Sequence, residues 1–449
     1  MTIASPTVTQ PEPTTASAIL DAAARVRLAT VCPPQRVAAA LAQIAQRWRN
    51  VHFALRRDTV AQLATSLGMT RPLLDESLDA LLQPLTAPAL ASLAPRLPRA
   101  HRLFGFVMPG NVPGSGIHEI AAALLAGAAV IIKSASRESV FFGNFVRSLA
   151  AADPAVAARI ALVSFSREDR AAMSAMWAAC EGGVVAYGDD ASLAALAAAG
   201  AAPGAREWAG ADTRPHGGAC PRRFAGFGSR LSGALVALDL PDTAGTPGRT
   251  RPQAAEAAAC GLARDVALFE QRGCLSPHHV FVVGGAEEAR GFAARLLRAL
   301  ERLARRLPPP ARLPLDAAAA IRGLRERARW RALAQPTDAA GRDIALWESA
   351  AATVIYDRTA AFSASPGYRT VFVSALDNID ELGARLGPAA GRLEAFALAA
   401  PPERREPLKE HLRRLGATYV CEPGQMQAPP LDWPHGHGAM FALLREAAR

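Results

Sequence analysis

Residues 104–116 read Phe104-Gly-Phe-Val-Met-Pro-Gly-Asn-Val-Pro-Gly-Ser-Gly116, a short apolar run followed by a loop rich in turn residues. The apolar spacing of residues 118–126 is typical of an amphipathic helix, and Ala128-Ala-Val-Ile-Ile132 is a second apolar run of strand length. A strand, a helix and a second strand in this order form a βαβ crossover, the building block of parallel sheets. The sequence therefore predicts an α/β fold.

Further strand-like segments lie on both sides of a Gly- and Pro-rich break at residues 245–252. Those before the break are 160–164, 183–187 and 233–238, and those after it are 280–283, 353–356 and 369–373. The chain is thus predicted to hold two α/β domains, 99–250 and 251–420. The remaining predicted parts are a disordered tail (1–17), an N-terminal helical region (18–98) and a C-terminal segment (421–449) that returns to the active site.

The composition excludes several classes of protein. The chain has 449 residues, half of them hydrophobic, which is enough for more than one core. Its six cysteines form no Cys-x-x-Cys pair, so we predict neither a metal site nor a disulfide framework, and a reducing, cytoplasmic setting. The longest apolar run, residues 120–132, is too short to span a membrane and is interrupted by Gly127.

Positive charge exceeds negative charge, with 50 Lys and Arg against 40 Asp and Glu. We interpret the excess as a solvated arginine-rich surface, attractive to acidic substrates, rather than as a nucleic-acid footprint. Residues 60–82 have the spacing of a helix-turn-helix, which leaves DNA binding as an alternative. The stretch after Pro72 is acidic, however, so an ordinary helical hairpin is favoured.

Cys274 is the candidate nucleophile. It stands in Phe269-Glu-Gln-Arg-Gly-Cys-Leu-Ser-Pro277, between a predicted helix and a predicted strand. Gly273 lets the backbone pass close to a ligand, and the charge of Arg272 favours a thiolate. A thiolate on such a loop can attack a thioester or an aldehyde carbonyl. For the other five cysteines the preferred interpretation is an inert thiol.

Asn111 is a second candidate catalytic residue, because its loop directly follows the first strand. Ligands bind at this edge of open α/β sheets. A side-chain amide there can stabilise an oxyanion, although Asn is also a common turn residue.

Four residues are predicted to bind a dinucleotide: Lys133, Ser136, Arg137 and Gly188. Lys133 ends the second strand, and Gly188 follows the strand 183–187. Ser136 stands where an acidic residue would select NAD, and Arg137 could accept a 2′-phosphate. The sequence therefore favours NADPH, although Glu138 comes next and a strand-end lysine can also be merely solvated.

From Arg102 to His437 the chain resembles the LuxC-type acyl-CoA reductase (fatty acyl reductase) family of the aldehyde dehydrogenase superfamily. The most similar stretches are Asp265-Val-Ala-Leu-Phe-Glu-Gln-Arg-Gly-Cys-Leu-Ser-Pro277, Pro109-Gly-Asn-Val-Pro113, Phe227-Gly-Ser-Arg230 and Pro429-Pro-Leu-Asp-Trp-Pro-His-Gly-His-Gly438. The resemblance implies an aldehyde dehydrogenase-like fold, with a Rossmann-like dinucleotide-binding domain at 99–250 and a catalytic domain at 251–420. It also implies that Cys274 is acylated, that the Asn111 loop holds the oxyanion and that Lys133 contacts the nucleotide.

Two carboxylates typical of hydrolytic aldehyde dehydrogenases are missing. Residues 230–242 contain no Glu to activate water, only Asp239 and Asp242, and residues 361–367 contain no Glu for the nicotinamide ribose. Both departures fit the acyl-reductase branch, in which a thiol exchanges with the acyl-enzyme. No general base is evident, and His216 and His435 remain weak candidates.

The expected function is therefore NADPH-dependent reduction of a long-chain fatty acyl-CoA, or of another acyl thioester, to an aldehyde through an acyl-cysteine intermediate. The alternatives are an acylating aldehyde dehydrogenase and a non-catalytic DNA-binding protein. Expected partners are an acyl-CoA or acyl-protein donor, an acyl-activating or acyl-transferring protein, and further copies of the chain in a homo-oligomer.

Overall fold

A computed structural model describes residues 13–200, 223–238, 251–335 and 343–449. The chain divides into two compact units. Unit 1 comprises Met1–Leu67, Leu78–Ser229 and Pro430–Arg449, and unit 2 comprises Gly68–Ser77 and Arg230–Pro429. Residues 18–98 thus contribute to both units.

The strands of the described residues are, in chain order, β1 (Leu103–Val107), β2 (Ala129–Lys133), β3 (Ile160–Val163), β4 (Gly183–Tyr187), β5 (Phe224–Phe227), β6 (Leu231–Val236), β7 (Pro277–Val283), β8 (Ile344–Glu348), β9 (Thr353–Asp357), β10 (Thr370–Leu376), β11 (Leu393–Ala399) and β12 (Tyr419–Cys421).

The helices are α1 (Ala16–Leu28), α2 (Pro34–Trp48), α3 (Ala54–Leu67), α4 (Arg71–Leu82), α5 (Ala87–Leu93), α6 (Ile117–Leu125), α7 (Val140–Ala152), α8 (Pro154–Ala157), α9 (Arg170–Ala179), α10 (Asp190–Gly200), α11 (Arg251–Ala267), α12 (Ala286–Ala304), α13 (Leu315–Leu333), α14 (Leu382–Arg385), α15 (Pro402–Arg414) and α16 (His435–Ala447). Within the described ranges, no helix is both long enough and apolar enough to cross a membrane.

Unit 1 is built on a parallel sheet whose described strands run in the order β3-β2-β1-β4-β5. The predicted βαβ unit is present as β1, α6 and β2, with Phe104 and Ile132 buried. One face of the sheet packs on α1 and α9 through a core that includes Ile131, Met176 and Trp177. Strand order reverses at β1, from which the chain runs outward in both directions, as in doubly wound dinucleotide-binding folds.

Unit 2 is built on a second sheet, in which the described strands follow the order β12-β11-β6-β7-β10-β9-β8. All pairs are parallel except β8 with β9, so an antiparallel edge strand completes an otherwise parallel sheet. The buried residues Leu235, Phe281, Phe396 and Leu398 come from three neighbouring strands and form the core of one face. Together the two units confirm the predicted α/β fold.

Residues 60–82 form the predicted helical hairpin, with α3 and α4 separated at Gly68, whose φ is +67°. Polar side chains of α4 are used inside unit 2. Glu76 accepts a hydrogen bond from Arg264 (3.0 Å), and Ser77 Oγ accepts one from the amide of Phe269 (3.1 Å). The unit 2 part of α4 therefore supports the segment that leads to Cys274.

Candidate functional site

The carboxyl edge of the unit 1 sheet carries the loops predicted to bind a dinucleotide. β1 leads into the Asn111 loop, its neighbour β2 ends at Lys133, and its other neighbour β4 ends just before Gly188. Because the strand order reverses at β1, a crevice is expected outside these strand ends. The sheet thus gathers Asn111, Lys133 and Gly188 at one edge.

Lys133 is a buried cation at this edge. Its side chain is 7% exposed, and its Nζ lies 5.5 Å from the centre of the Phe165 ring. Burial lowers the pKa of Lys133, with a smaller rise caused by the charge of Glu168 and a further decrease caused by Arg167. In the described part of the chain its ammonium has neither a hydrogen-bond nor an ion-pair partner. An ammonium at the end of this strand could donate to a ribose hydroxyl or a phosphate, so the site fits either group.

Ser136 and Arg137 are exposed at the tip of a turn closed by a bridge between Ala135 and Glu138. The turn lies against the Asn111 loop, because a Cβ added to Gly110 would come within 3.2 Å of Ala135 Cβ. Glu138 is fully buried and accepts a hydrogen bond from the amide of Phe141 (3.1 Å). Burial raises the pKa of Glu138 to about 8, so this carboxyl adds little negative charge beside Arg137 at neutral pH.

His435 is paired with a carboxylate, which the sequence analysis did not identify. Its Nδ1 lies 2.7 Å from Oε1 of Glu119 in the first turn of α6, the helix that follows the Asn111 loop. Burial alone would raise the pKa of Glu119, but the charge of His435, its hydrogen bond and the charge of His118 lower it to about 2. Glu119 is therefore an anion across the working pH range.

An aromatic stack fixes the ring of His435. The imidazole lies between Trp433 and Phe227, with centroid separations of 4.4 and 4.3 Å, and Phe227 stacks on Tyr187 at 4.8 Å. Gly436 (φ +55°) makes this approach possible, since a Cβ there would lie 2.9 Å from the Phe227 ring. Tyr187 and Phe227 end β4 and β5, so His435 stands at the same carboxyl edge of the unit 1 sheet.

In unit 2, Cys274 lies in a short loop between α11 and β7, as predicted. A 3-10 helix, Leu268–Gln271, continues α11, and its residues Phe269, Glu270 and Gln271 have left-handed φ values of 54°, 53° and 59°. A residue other than glycine is strained in this conformation, and it keeps the conformation only where the surrounding structure holds it. The segment before Cys274 must therefore be held by strong contacts.

Gln271 supplies several of those contacts. Its Nε2 donates to the carbonyls of Pro277 (2.8 Å) and Thr370 (2.9 Å), and its Oε1 accepts from the amide of Thr370 (2.9 Å). The side chain therefore clamps the Cys274 loop to the start of β10.

A buried ion pair holds the same loop. Arg369 donates to Oε1 of Glu270 (3.1 Å) and to the carbonyl of Leu307 (2.9 Å), and Glu270 and Arg369 are almost fully buried. Burial raises the pKa of Glu270, and the guanidinium of Arg369 opposes that rise. Arg369 also has a left-handed φ, 60°, so both partners are held in strained backbone.

Cys274 itself is half-buried, and its carbonyl accepts a hydrogen bond from Ser232 Oγ (2.6 Å). Gln427 donates to Ser276 Oγ (3.2 Å), two residues further along. Asp265 accepts hydrogen bonds from the amides of Gly424 (2.6 Å) and Met426 (3.0 Å). Residues 424–427 thereby contact both α11, which precedes Cys274, and the loop residue Ser276, which follows it.

Two imidazoles organise the loop at residues 361–367. His279 accepts from the amide of Ser363 (3.1 Å), and His278 accepts from the amide of Ser365 (2.9 Å). Burial lowers the pKa of His278 to about 4 and that of His279 to about 3, so both rings are neutral. Residues 361–367 contain no carboxylate, so the polar groups of this loop are its backbone amides and its serine side chains.

Residues 92–446 match the family model described as acyl-CoA reductase (LuxC). The chain belongs to the acyl-CoA reductase (LuxC) family.

The solved structures that share this fold include aldehyde dehydrogenases. A NAD-dependent benzaldehyde dehydrogenase from Corynebacterium glutamicum has a TM-score of 0.64 at 14% identity, covering 96% of this chain and 90% of its own. A NAD-dependent aldehyde dehydrogenase from Sinorhizobium meliloti has a TM-score of 0.62 at 14% identity, and the match covers 92% of this chain and 80% of that protein. Gamma-glutamyl-gamma-aminobutyraldehyde dehydrogenase from Burkholderia cenocepacia J2315 has a TM-score of 0.64 at 14% identity, and the match covers 91% of this chain and 80% of that protein. No curated protein matches significantly.

These comparisons confirm the predicted family and the aldehyde dehydrogenase-like fold, with its Rossmann-like and catalytic parts. They make this LuxC-family chain an oxidoreductase that acts on aldehyde or acyl groups.

The predicted site residues of this LuxC-family chain fall in both units. Asn111, Lys133, Ser136, Arg137 and Gly188 belong to unit 1, and Cys274 belongs to unit 2. Joint action of Asn111 and Cys274 stays a prediction. Of the candidate bases, His435 is described above, whereas His216, Asp239 and Asp242 lie outside the described residues. Among the described residues no group of three or more His, Cys, Asp or Glu is arranged to hold a metal ion.

The other cysteines of the LuxC-family chain have varied surroundings. Cys32 and Cys180 are buried, Cys421 is half-buried and Cys260 is exposed on α11, while Cys220 lies outside the described residues. Burial raises the pKa of Cys180 and of Cys421 well above the usual range for a thiol. These two thiols are therefore poor nucleophiles.

Proposed function

We propose that this chain reduces fatty acyl thioesters, with long-chain acyl-CoA or an acyl-protein as donor, to aldehydes with NADPH as reductant. The observation that carries the proposal is the loop of Cys274. A half-buried thiol follows three consecutive left-handed residues that a buried ion pair and the Gln271 clamp hold in place. Strain retained in this way is typical of functional loops.

Cys274 carries the covalent step. Its thiolate attacks the carbonyl carbon of the acyl thioester, a new C–S bond forms, and the bond to the sulfur of the donor breaks. The donor leaves as a thiolate that takes up a proton. The side-chain amide of Asn111 is assigned to the oxyanion that develops during the attack.

The unit 1 residues fit a nicotinamide dinucleotide. Lys133 offers an ammonium at the end of β2, and Arg137 is exposed beside a Glu138 that is largely protonated. These charges favour a 2′-phosphate and hence NADPH. The chemistry that the bound cofactor supplies is a hydride for the thioester carbonyl.

The reduced adduct on Cys274 is a thiohemiacetal, which releases the aldehyde when its C–S bond breaks and the thiolate re-forms. One proton is consumed overall, because acyl thioester, NADPH and H⁺ give aldehyde, free thiol and NADP⁺. We assign the proton transfer to His435, held by the anionic Glu119.

Hydrolysis of the acyl-enzyme is expected to be slow. Among the described residues, the stretches 230–238 and 361–367 contain neither Asp nor Glu, so neither provides a carboxylate that could activate water. This supports discharge of the acyl-enzyme by hydride or by a thiol.

The test is consumption of NADPH with a panel of acyl-CoAs from short to long chain, with the aldehyde product quantified. We expect stoichiometric aldehyde and a preference for long chains, and Arg137→Glu should weaken NADPH more than NADH. If no acyl-CoA is reduced but aldehydes are oxidised in the presence of CoA, the chain is an acylating aldehyde dehydrogenase instead.

A further inference from the structure

Ser232 is a fully buried polar residue of β6, and its hydroxyl makes two hydrogen bonds within unit 2. Its Oγ donates to the carbonyl of Cys274 (2.6 Å) and accepts from the amide of Ala395 on β11 (3.0 Å). One buried hydroxyl therefore connects two strands of the sheet to the backbone of the residue that carries the candidate nucleophile.

The sheet is irregular on both sides of Ser232. The pairing of β6 with β7 shifts by one residue between Ser232 and Gly233, so β7 has an extra residue there. The pairing of β6 with β11 shifts by one residue between Leu393 and Phe396, the partners of Leu231 and Gly233. Such β-bulges are rare between parallel strands and are over-represented next to active sites, where they redirect a side chain.

The two bulges explain why a hydroxyl is buried at this position. A bulge interrupts the hydrogen bonds between neighbouring backbones, and a buried amide then needs another acceptor. The Oγ of Ser232 is that acceptor for the amide of Ala395. A serine hydroxyl that accepts one bond still has its own proton to donate, and this proton goes to the carbonyl of Cys274.

The carbonyl that Ser232 binds belongs to the central peptide of a β-turn. The amide of Ser276 donates to the carbonyl of Gly273 (3.0 Å), so Cys274 and Leu275 are the central residues of this turn. Type I and type II turns differ by a flip of the central peptide, and type II requires a left-handed residue at its second central position. Leu275 is not among the described residues with a left-handed φ. The carbonyl of Cys274 thus has one direction, and Ser232 holds it there.

The direction of this peptide affects the thiol of Cys274. The rotamers that a side chain can adopt depend on the backbone angles of its own residue, and a flip of the peptide after Cys274 changes its ψ. The flip also reverses the peptide dipole beside the sulfur. A hydrogen bond that prevents the flip therefore restricts the directions from which the thiolate can attack, and a displacement of about 1 Å is enough to slow such an attack.

We propose that Ser232 is a positioning residue for Cys274, whose hydroxyl fixes the central peptide of the turn and thereby the direction of the thiol. The inference rests on the proposed function, in which Cys274 is acylated by an acyl thioester. Ser232 acts through the backbone of Cys274 and not on the acyl group itself.

The test compares two reactions of the same thiol in Ser232→Ala. Acyl transfer from radiolabelled long-chain acyl-CoA requires the sulfur to approach a carbonyl in a defined direction, whereas alkylation by iodoacetamide tolerates many directions. We expect the acylation rate of Cys274 to fall roughly 10- to 100-fold and its alkylation rate to change less than about twofold. Mass spectrometry of the Cys274 peptide measures both rates. An equal fall in both would indicate a general loss of structure or of thiolate and would overturn the proposal.

Ser148→Ala is the matched control. Ser148 is also buried, donates to the carbonyl of Asn144 (2.8 Å) and accepts from Nε1 of Trp48 (3.0 Å), but it lies on α7 of unit 1. Ser148→Ala should lower the thermal stability as Ser232→Ala does, and should leave both rates unchanged. Ser232→Thr keeps the hydroxyl at a strand position that suits a β-branched residue, so it should be acylated faster than Ser232→Ala. Equal rates for these two variants would contradict the positioning role.

The outcomes separate this inference from the proposed function. If the natural chain is acylated on Cys274 and Ser232→Ala is acylated equally fast, the positioning role is wrong and the proposed function stands. If acyl-CoA does not label Cys274 of the natural chain, the proposed function fails, and the positioning role that rests on it fails too.

Discussion

The guanidinium of Arg369 donates a hydrogen bond of 3.1 Å to Oε1 of Glu270, and both residues are buried in left-handed backbone. Glu270 stands four residues before Cys274, so this contact connects the start of β10 to the loop of the nucleophile. The pair therefore belongs to the framework that positions the thiol.

Removing Arg369 should lower the stability of the folded chain. Arg369→Ala leaves Glu270 buried without its partner and should lower the free energy of unfolding by about 3–5 kcal/mol, measured by urea denaturation. The matched control is Arg96→Ala, whose pair with Asp432 (2.5 Å) joins side chains that are 59% and 44% exposed and should cost about 0–1 kcal/mol. Equal losses for both variants would show that the buried pair does not hold the loop.

Lys133→Ala should impair cofactor use but not acylation. Loss of a charged hydrogen-bond donor is worth about 1.5–3 kcal/mol, so KM for NADPH should rise roughly 10- to 100-fold. Labelling of Cys274 by acyl-CoA should be unchanged. Lys409→Ala is the matched control, because that lysine pairs with Glu406 on α15 at 2.7 Å. An unchanged KM in Lys133→Ala would contradict the assignment of Lys133 to the cofactor.

Glu119→Gln should move the pH dependence of reduction. The carboxyl of Glu119, with a pKa of about 2, is anionic at working pH and stabilises a protonated imidazole at His435. Its loss should shift the pH profile of kcat/KM to lower pH by roughly one unit. Glu119→Asp, which restores the charge, should recover part of the shift. Lower activity with an unmoved profile would indicate that Glu119 is merely structural.

Glu138 should make the protein less stable as pH rises. Its pKa in the folded chain is about 8, above the ordinary 4.5, so between these values the folded state holds a proton that the unfolded state has released. The free energy of unfolding should therefore fall as pH increases through this window and level off above it.

Glu138→Gln removes that dependence, and its stability advantage should grow with pH to a few kcal/mol, at about 1.4 kcal/mol per pKa unit. Urea denaturation at several pH values measures it. Glu403→Gln, at an exposed glutamate of α15, is the control that should follow the natural chain. If the free energy of unfolding depends on pH in the same way for the natural chain and both variants, Glu138 is not a buried, protonated carboxyl.

The sequence predicted the parts of this fold that local pattern determines. The first βαβ unit, the helical hairpin and the position of Cys274 between helix and strand are all present. β11 was not predicted, because Leu393-Glu-Ala-Phe-Ala-Leu-Ala399 has no β-branched residue and locally favours a helix. It becomes a strand because it lies between β6 and β12 in the sheet.

The contacts of the site were also harder to predict, because they join residues that are far apart in the sequence. Glu119 and His435 are 316 positions apart, and Gln271 and Thr370 are 99 apart, so no local spacing relates them. A weak signal was present in α6, where His118 and Glu119 interrupt an otherwise apolar helix. Buried ionisable residues of this kind indicate a partner from elsewhere in the chain.

The most direct test of the account is isolation of the acyl-enzyme. The chain is incubated with radiolabelled long-chain acyl-CoA without NADPH, and the labelled peptide is sequenced by mass spectrometry. We predict a thioester on Cys274 that persists in buffer, is lost on addition of NADPH with release of aldehyde, and does not form in Cys274→Ala. Label on another residue, or rapid release of free fatty acid before any NADPH is added, would contradict the assignment of Cys274 as the acylated nucleophile of a reductase.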